Sequence, residues 1–218
     1  MTGGGCLRNI DEVITLVNKI RQDSMKNASG GKKPKEYLFF LDLKKAFDSI
    51  DRSLLIEKMI KKKVHTSLIR ATRELYQGMS LKVGKEDVPT NIGVVQGGVT
   101  SPLLFNFYID ELVEAMNKFG TCLALADDII IHVKGDLQLN LMINALKKLC
   151  QDLKLTISLK KSAVMEIKKK KQRTQKRKLI YGFPAATSYK YLGICIQDNL
   201  KFTEELEGKR KIDAMIKK

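Results

Sequence analysis

The spacing of apolar positions divides the chain into alternating helical and extended segments. Asn9, followed three residues later by Glu12 and then by an apolar stripe, predicts a capped helix that runs to about Ser24. Apolar residues at helical spacing predict four more helices, over about 53–63, 66–78, 101–120 and 136–152. At the start of the helix near 101, Ser101 is expected to be the N-cap and Pro102 the first helical residue.

Continuous or alternating apolar runs predict the strands. The run EYLFFLD predicts a buried strand that ends at Asp42, and SLKVG and VPTNIGV predict two short strands around the polar turn KED. Four further strand candidates follow the last helix: LKLTISL, AVMEI, KLIYGF and YKYLGICI. Such an order of helices, strands and hairpins is typical of an α+β fold with helices packed on one side of a sheet.

The run LALADDIII is apolar except for Asp127 and Asp128. Strand side chains alternate between faces, so we expect a tight turn at this pair, with both carboxylates at the tip of a hairpin. Crowded carboxylates repel each other unless a cation neutralises them, which suggests a hard-metal site; an ordinary surface turn is the alternative. Asp42, at its own strand end, can converge with them and complete three carboxylates around a metal cluster.

Composition narrows the class of partner. A chain of 218 residues and 24.6 kDa is long enough for one substantial core. Its formal net charge of +16 favours a polyanionic partner, nucleic acid before membrane. There is no apolar run of the roughly 18 residues that a spanning helix needs, and no signal-peptide core at the start, so a soluble intracellular protein is expected. The cysteines have no C-x-x-C spacing and are expected to be reduced packing residues: Cys6, Cys122, Cys150 and Cys195.

Five segments of the chain form an ordered set of motifs: FFLDLKKAFDSIDRSLL, VVQGGVTSPLLFNFYIDEL, LALADDIII, LTISLKKSAVM and YLGI. In this order they match motifs A to E of reverse transcriptases, so the chain resembles that family, in the type found in non-LTR (LINE-type) retrotransposons and group II introns. The resemblance implies a polymerase palm, an antiparallel sheet with helices on one face, with partial fingers and no thumb. It divides a single domain, 1–218, into residual fingers and linker (1–35), palm (36–167), basic loop (168–178), and motif E with the start of a thumb connection (179–218).

The chemistry implied by the resemblance is nucleotidyl transfer with two Mg²⁺ ions, for which Mn²⁺ can substitute; the ions lie roughly 3.5 to 4 Å apart. Asp42 and Asp127 are then the expected bridging ligands. Asp128 has a similar but more peripheral role, and Leu43 adds a backbone carbonyl. Lys161 corresponds to the lysine that assists the pyrophosphate leaving group.

Further residues of the resemblance concern the nucleotide and the primer. Phe47 is expected to exclude a 2′-hydroxyl under the incoming sugar, with a core phenylalanine as the alternative. Gln96, Gly97 and Gly98 match the motif that lines the nucleotide pocket, with a plain glycine turn as the alternative. Tyr191-Leu192-Gly193 resembles the primer-grip turn.

The run KKKKQRTQKRK suggests a basic loop that contacts template or primer phosphates. Its cationic residues are Lys168, Lys169, Lys170, Lys171, Arg173, Lys176, Arg177 and Lys178. A nuclear-localisation signal and a simple solvated loop are the alternatives. His132 is expected to be a satisfied structural histidine without a catalytic role.

The chain departs from the family pattern at three places. Leu125 replaces the usual aromatic before Ala-Asp-Asp, and Lys154 and Ser158 stand where motif D normally has Gly and Asn. The finger hairpin that clamps the triphosphate is expected to be missing, since Arg8 is not a convincing replacement, and about twenty residues after motif E are too few for a thumb. The chain is therefore interpreted as a fragment of a longer polyprotein or a decayed genomic copy.

Two functions follow from these patterns. The first is an RNA-directed DNA polymerase domain, with an RNA template, a DNA primer or RNA–DNA hybrid, dNTPs and other segments of a polyprotein as partners. The second is a degenerate or domesticated copy that binds RNA without polymerising. An RNA-templated RNA polymerase shares the palm, but Phe47 argues against ribonucleotides. The basic run favours the nucleus.

Overall fold

The computed structural model describes residues 4–26, 34–95, 97–168 and 178–203. The helices are α1 (Gly4–Lys26), α2 (Arg52–Lys61), α3 (Thr66–Tyr76), α4 (Ser101–Asn117) and α5 (Asp136–Asp152), with a short 3-10 helix at Phe47–Ser49. The strands are β1 (Glu36–Leu41), β2 (Ser80–Val83), β3 (Glu86–Pro89), β4 (Gly120–Leu125), β5 (Asp128–Lys134), β6 (Ala163–Glu166), β7 (Leu179–Ile180), β8 (Phe183–Pro184), β9 (Ser188–Tyr191), β10 (Ile194–Gln197) and β11 (Phe202–Thr203).

A four-stranded antiparallel sheet in the order β4-β5-β1-β6 forms the centre of the fold. Strand β1 lies between β5 and β6, and all six of its residues are buried. This burial explains why the strand is apolar from Tyr37 to Leu41 rather than alternating, because side chains on both of its faces enter a core.

The two faces of the sheet are covered differently. Tyr37 and Phe39 of β1 belong to the larger core, which includes buried residues of α4 and α5 such as Phe105 and Leu146. Leu38 and Phe40, which alternate with them along β1, belong to a second core. That core also contains residues of α1 and of the small β9-β10-β11 sheet. The predicted α+β class is confirmed. The sequence predicted helices on one side of the sheet, but α1 packs on the face opposite α4 and α5.

Several predicted elements agree closely with the structure. Helix α5 has the predicted bounds, and α2 and α3 begin and end within two residues of theirs. Helix α1 extends beyond its predicted start and end, and α4 ends at Asn117 because Gly120 begins β4. Helix α4 begins at Ser101, so the predicted N-cap is wrong: Thr100 holds that position, and the Ser101 hydroxyl donates to the Val95 carbonyl at 2.6 Å.

Four predicted strands differ from the structure. The segment LKLTISL forms a loop with a single bridge, Leu43 to Ile157, because β1 ends before it can pair along the whole segment. The second strand of the short hairpin ends at Pro89, and the hairpin turns at Gly84–Lys85 rather than at KED. KLIYGF and YKYLGICI each form a hairpin instead of one strand.

Cys122 and Cys150 are free and buried, and burial raises the pKa of both thiols to about 12. This agrees with their interpretation as packing residues. Among the described residues, no helix is long and apolar enough to cross a membrane.

Candidate active site

The β4–β5 hairpin carries two of the predicted acidic residues. Leu125 pairs with Asp128, so the two-residue turn consists of Ala126 and Asp127, one residue earlier than predicted. Ala126 adopts a positive φ of 51°, which non-glycine residues seldom take outside turns and functional sites. Asp127 lies in the turn, Asp128 is the first residue of β5, and both are exposed at the tip.

Asp42 joins this tip from the neighbouring strand. Strand β1 ends at Leu41, which pairs with Ile129 of the antiparallel strand β5. Asp42 follows Leu41 and Asp128 precedes Ile129, so both lie at the same end of the sheet. Although Asp128 remains in contact with solvent, the surrounding protein removes part of the water around its carboxyl and so raises its pKa; the charges of Asp127 and Asp42 raise it further, and Lys161 opposes them. The predicted convergence of the acidic residues is therefore present.

The acidic residues lie near one another but do not form a complete set of metal ligands in the described part of the chain. Among the described residues, no three His, Cys, Asp or Glu side chains form a group with ligand spacing, in contrast to the predicted cluster. The Lys161 amine lies 3.7 Å from Asp42 Oδ2 and supplies positive charge there.

The donor atoms themselves are those a hard cation prefers. Asp42, Asp127 and Asp128 offer only oxygen, which suits Mg²⁺. At the bridge of Leu43 to Ile157, the two hydrogen bonds are made by neighbouring groups: Lys44 N–H donates to the Thr156 carbonyl, and Ser158 N–H donates to the Asp42 carbonyl. The bridge therefore does not use the Leu43 carbonyl.

Lys161 lies in a loop, residues 153–162, that we call the lysine loop. A tight turn closes it, in which the N–H groups of Lys161 and Ser162 both donate to the Ser158 carbonyl, at 3.1 and 2.8 Å. At its start, Lys154 takes a positive φ of 53°, the backbone conformation that glycine adopts readily. Lys154, which stands where the family normally has glycine, therefore adopts a backbone conformation that glycine takes more readily than lysine.

Lys154 also makes a contact that glycine cannot make. Its amine lies 2.5 Å from Asp51 Oδ2, and Asp51 caps α2 by accepting from Leu54 N–H at 2.9 Å. The hydrogen bond from Lys154 is the largest cause that lowers the pKa of Asp51. The lysine loop is thereby linked to the start of α2.

Phe47 is half-buried and opens the 3-10 helix that follows the Asp42 strand. Its ring stacks on Phe105, with centroids 4.8 Å apart and planes 22° apart, so it contributes to the core as the alternative interpretation expected. A cavity of about 830 Å³ is lined by Lys45 and Asp48, which lie on either side of Phe47 in the chain, and by Val94 among others.

The segment before the two glycines is held in place by Arg52. Its guanidinium donates to the carbonyls of Gly93 and Thr90, both at 2.7 Å, and lies over the Tyr76 ring. Gly97 has a φ of 83°, and a Cβ added at Gly98 would lie 2.7 Å from Ser101 Oγ. Gly98 therefore permits a close approach to the start of α4, whereas Gln96 lies outside the described residues.

The motif E segment forms the β9–β10 hairpin. Leu192 and Gly193 form its two-residue turn, both with positive φ, as such hairpins require. The Tyr191 hydroxyl donates to the Asp128 carbonyl at 3.0 Å, and the Tyr189 hydroxyl donates to the Lys161 carbonyl at 2.9 Å. This hairpin consequently contacts both the acidic tip and the lysine loop.

Comparison with known proteins identifies the family. A sequence profile described as reverse transcriptase (RNA-dependent DNA polymerase) matches residues 7–196. The chain belongs to the reverse transcriptase family. One curated relative, a 115 kDa protein in the type-1 retrotransposable element R1DM of Drosophila melanogaster, is 22% identical over 184 residues. The match covers 79% of this chain and 18% of that protein, which supports the non-LTR retrotransposon part of the resemblance.

Solved telomerase structures share the fold of this reverse transcriptase chain. Apo telomerase from Candida tropicalis, truncated from its C-terminal domain, has a TM-score of 0.63 at 17% identity, over 89% of this chain and 40% of that one. Telomerase from Candida albicans, in complex with a TWJ fragment of telomeric RNA, has a TM-score of 0.64 at 14% identity, over 90% and 34%. The predicted palm fold is confirmed, and the chain spans less than half the length of these relatives.

Other predictions for the reverse transcriptase chain have separate outcomes. Of the basic run, Lys168 pairs with Asp198 at 2.5 Å, Lys178 precedes β7, and the remaining cations lie outside the described residues. His132 is buried with its Nε2 atom 2.9 Å from Glu36 Oε2, so its interpretation as a satisfied structural histidine is confirmed. Sequence reasoning missed Tyr189 and Ser162, whose only sequence signal is proximity to motifs E and D.

Proposed function

We propose that this chain is an RNA-directed DNA polymerase domain that transfers nucleotides from dNTPs to the 3′-hydroxyl of a primer. One observation carries the proposal: in a member of the reverse transcriptase family, three carboxylates and the Lys161 amine come together at one end of the central sheet. Telomerase from Candida albicans, which shares the fold, is in complex with a fragment of telomeric RNA, in line with the proposal that this chain also binds RNA.

The acidic residues would hold the metal ions. Asp42 and Asp127 are assigned as the principal ligands, with Asp128 and the Leu43 carbonyl beside them. The chemistry that two Mg²⁺ ions supply when bound is stabilisation of the attacking 3′-oxygen and of the departing pyrophosphate. The raised pKa of Asp128 is consistent with this role, because crowded negative charge is relieved when a cation binds.

Lys161 is assigned to the leaving group. Its side chain is 74% exposed, so Nζ can move from Asp42 towards a phosphate. From there the amine provides positive charge and a proton for the pyrophosphate oxygen. The ion pair with Asp42 sets the starting position of the amine next to the reacting groups.

The remaining assignments concern substrate position. Phe47 lies under the incoming sugar and disfavours a 2′-hydroxyl. The segment Gln96-Gly97-Gly98 lines the nucleotide pocket, and Tyr191-Leu192-Gly193 holds the primer end. The basic run 168–178 contacts nucleic-acid phosphates, and residues 36–167 form the palm. The same basic run leads us to propose the nucleus as the location.

The direct test is primer extension on an RNA template with a DNA primer, dNTPs and Mg²⁺. We expect extension by the wild-type chain and none by Asp127→Asn, because the variant lacks a ligand charge. Asp87→Asn removes an exposed carboxylate on β3 and is the matched control, with expected activity equal to that of the wild type. Extension that persists in Asp127→Asn would contradict the proposed site.

A binding-only protein is the second candidate. The binding-only function is favoured by the spacing of the acidic residues, because no three of those described have the spacing of metal ligands. This candidate predicts RNA binding that weakens steeply with salt, no extension, and no difference between wild type and Asp127→Asn. Extension assays with the same chain joined to further segments of its protein would separate it from a polymerase that needs those segments.

Phe47 offers a test of substrate class. In Phe47→Ala we expect the ratio of ribonucleotide to deoxynucleotide incorporation to rise, because the bulk beneath the sugar is removed. Phe107→Ala, which truncates another half-buried phenylalanine, is the control for lost packing. Unchanged rejection of ribonucleotides would remove the sugar gate from the mechanism.

A further inference from the structure

We propose that Ser162 is a positioning residue that fixes Asp42 and Lys161 relative to each other. The inference rests on the proposed function, because it concerns the same reaction. Ser162 is 1% exposed and is not among the residues that the family motifs assign to catalysis or binding.

The need for such a residue arises where the β1–β6 ladder ends. Phe40 pairs with Ala163, and the next bridge joins Leu43 to Ile157. Between these pairs, the first side has only the two residues 41 and 42, whereas the lysine loop contributes the five residues 158–162. The surplus residues bulge out of the ladder, so Asp42 N–H has no main-chain partner in regular pairing with β6.

The Ser162 hydroxyl occupies this position. Asp42 N–H donates to Ser162 Oγ at 3.0 Å, and the same hydroxyl lies 3.3 Å from the Asp42 carbonyl, to which it donates. The Asp42 carbonyl also accepts from Ser158 N–H at 2.9 Å. Both main-chain groups of Asp42 are therefore bonded to the lysine loop, and its carboxylate remains directed to the site.

The same contact determines where Lys161 lies. Ser162 follows Lys161 directly, so the two bonds to Asp42 hold the lysine backbone against the end of β1. From there Lys161 Nζ comes within 3.7 Å of Asp42 Oδ2. A loop free to slide would place the amine and the carboxylate independently, and small displacements at a reacting centre are costly.

The test compares Ser162→Ala with Ser158→Ala. Ser158 is also buried and lies in the same turn, but its bond to Asp42 is made by the backbone and survives the substitution. In primer extension with dNTP varied, we expect Ser162→Ala to lower kcat by about tenfold or more while KM changes by less than about threefold, since position and not binding is lost. Ser158→Ala should change kcat by less than about threefold.

A second measurement does not depend on activity. Lysines are labelled with ¹³C-methyl groups, and the Lys161 signal is identified by its absence in Lys161→Arg. We expect Ser162→Ala to move that signal towards its position in Asp42→Asn, where the ion pair is lost, and Ser158→Ala to leave it in place. If Ser162→Ala does not fold, Ser162→Cys, with its poorer donor and acceptor, replaces it.

The outcomes separate the two proposals. A Lys161 signal that is the same in Ser162→Ala and Ser158→Ala would overturn the positioning role, even where the wild type extends primers. The positioning role would also be overturned if the Lys161 signals of Ser162→Ala and Ser158→Ala differed but their kcat values were equal. If neither the wild-type chain nor the chain joined to further segments extends a primer, the proposed function fails, and the Lys161 signal alone decides whether Ser162 holds Lys161 beside Asp42.

Discussion

The acidic hairpin and the lysine loop bring groups to the same site by different physical means. The β4–β5 hairpin is held by six consecutive residue pairs, and five of the seven residues of β5 are buried. The lysine loop has one isolated bridge and depends on particular side chains, among them Ser162, Tyr189 and Lys154.

The difference teaches which positions tolerate change. A strand ladder uses main-chain groups that every residue except proline provides, so the hairpin geometry survives most side-chain substitutions. The loop uses hydroxyl and amine groups that few residues provide. Loss of a side chain that holds the loop, such as Ser162 or Tyr189, should therefore displace Lys161 and leave Asp127 and Asp128 in place.

The largest expected effect is loss of a hairpin carboxylate. Asp128→Asn should reduce primer extension by about 10³-fold, because several kcal/mol of charge stabilisation in the transition state is removed. The same variant should be more heat-stable than the wild type at neutral pH without metal. Burial and the neighbouring carboxylates raise the pKa of Asp128, so the folded state holds this charge at a cost.

The pH dependence gives the sign of that stability effect. With a raised pKa, the folded state binds the proton more tightly than the unfolded state, so its stability falls as pH rises through the interval above the ordinary value of 3.8. The gain in melting temperature for Asp128→Asn should thus be present at neutral pH and disappear below pH 3.8. A gain that grows as pH falls would contradict the charge repulsion described here.

Loss of the loop amine should have the next largest effect. Lys161→Ala should lower kcat by about 10²-fold, the usual contribution of a general acid. Lys161→Arg keeps the charge but is a poor proton donor, so it should restore only part of the rate. Lys160→Ala, which removes the adjacent exposed lysine, is the control. Equal losses in Lys160→Ala and Lys161→Ala would contradict the specific role of Lys161.

A smaller effect is expected for the tyrosine that supports the loop. Tyr189→Phe removes the hydroxyl that donates to the Lys161 carbonyl but keeps the ring stacked on Phe40 at 4.1 Å. We expect a loss of about 1 kcal/mol in the free energy of unfolding, typical of one hydrogen bond, and a several-fold lower kcat. Tyr181→Phe, at an exposed tyrosine, is the control. A rate equal to wild type would show that the lysine loop does not need this support.

The smallest effect concerns the backbone of Lys154. Lys154→Gly and Lys154→Ala both lose the exposed ion pair with Asp51, which contributes about 0.2–1 kcal/mol. Residue 154 has a positive φ, which destabilises the folded state when the residue is alanine but not when it is glycine. The free energy of unfolding of the glycine variant should therefore be higher by about 1 kcal/mol. Urea unfolding of the two variants measures this difference; equal midpoints would indicate that the loop has rearranged.

The sequence by itself determined the α+β class, helix α5, and the placement of Asp42 and the Asp127–Asp128 pair at element ends. These features are local: apolar periodicity, turn residues and the interruption of an apolar run by charge are readable within a short window. The family resemblance rested on the same local motifs, and the profile match over residues 7–196 confirmed it.

Tertiary structure decided what depends on distant partners. The turn falls at Ala126–Asp127 because Leu125 pairs with Asp128, and LKLTISL forms a loop because β1 ends at Leu41. The contacts of Ser162 with Asp42 and of Tyr189 with Lys161 join residues 120 and 28 positions apart. No local pattern encodes such contacts, because a hydroxyl group obtains its partner only once the strands and loops have packed together.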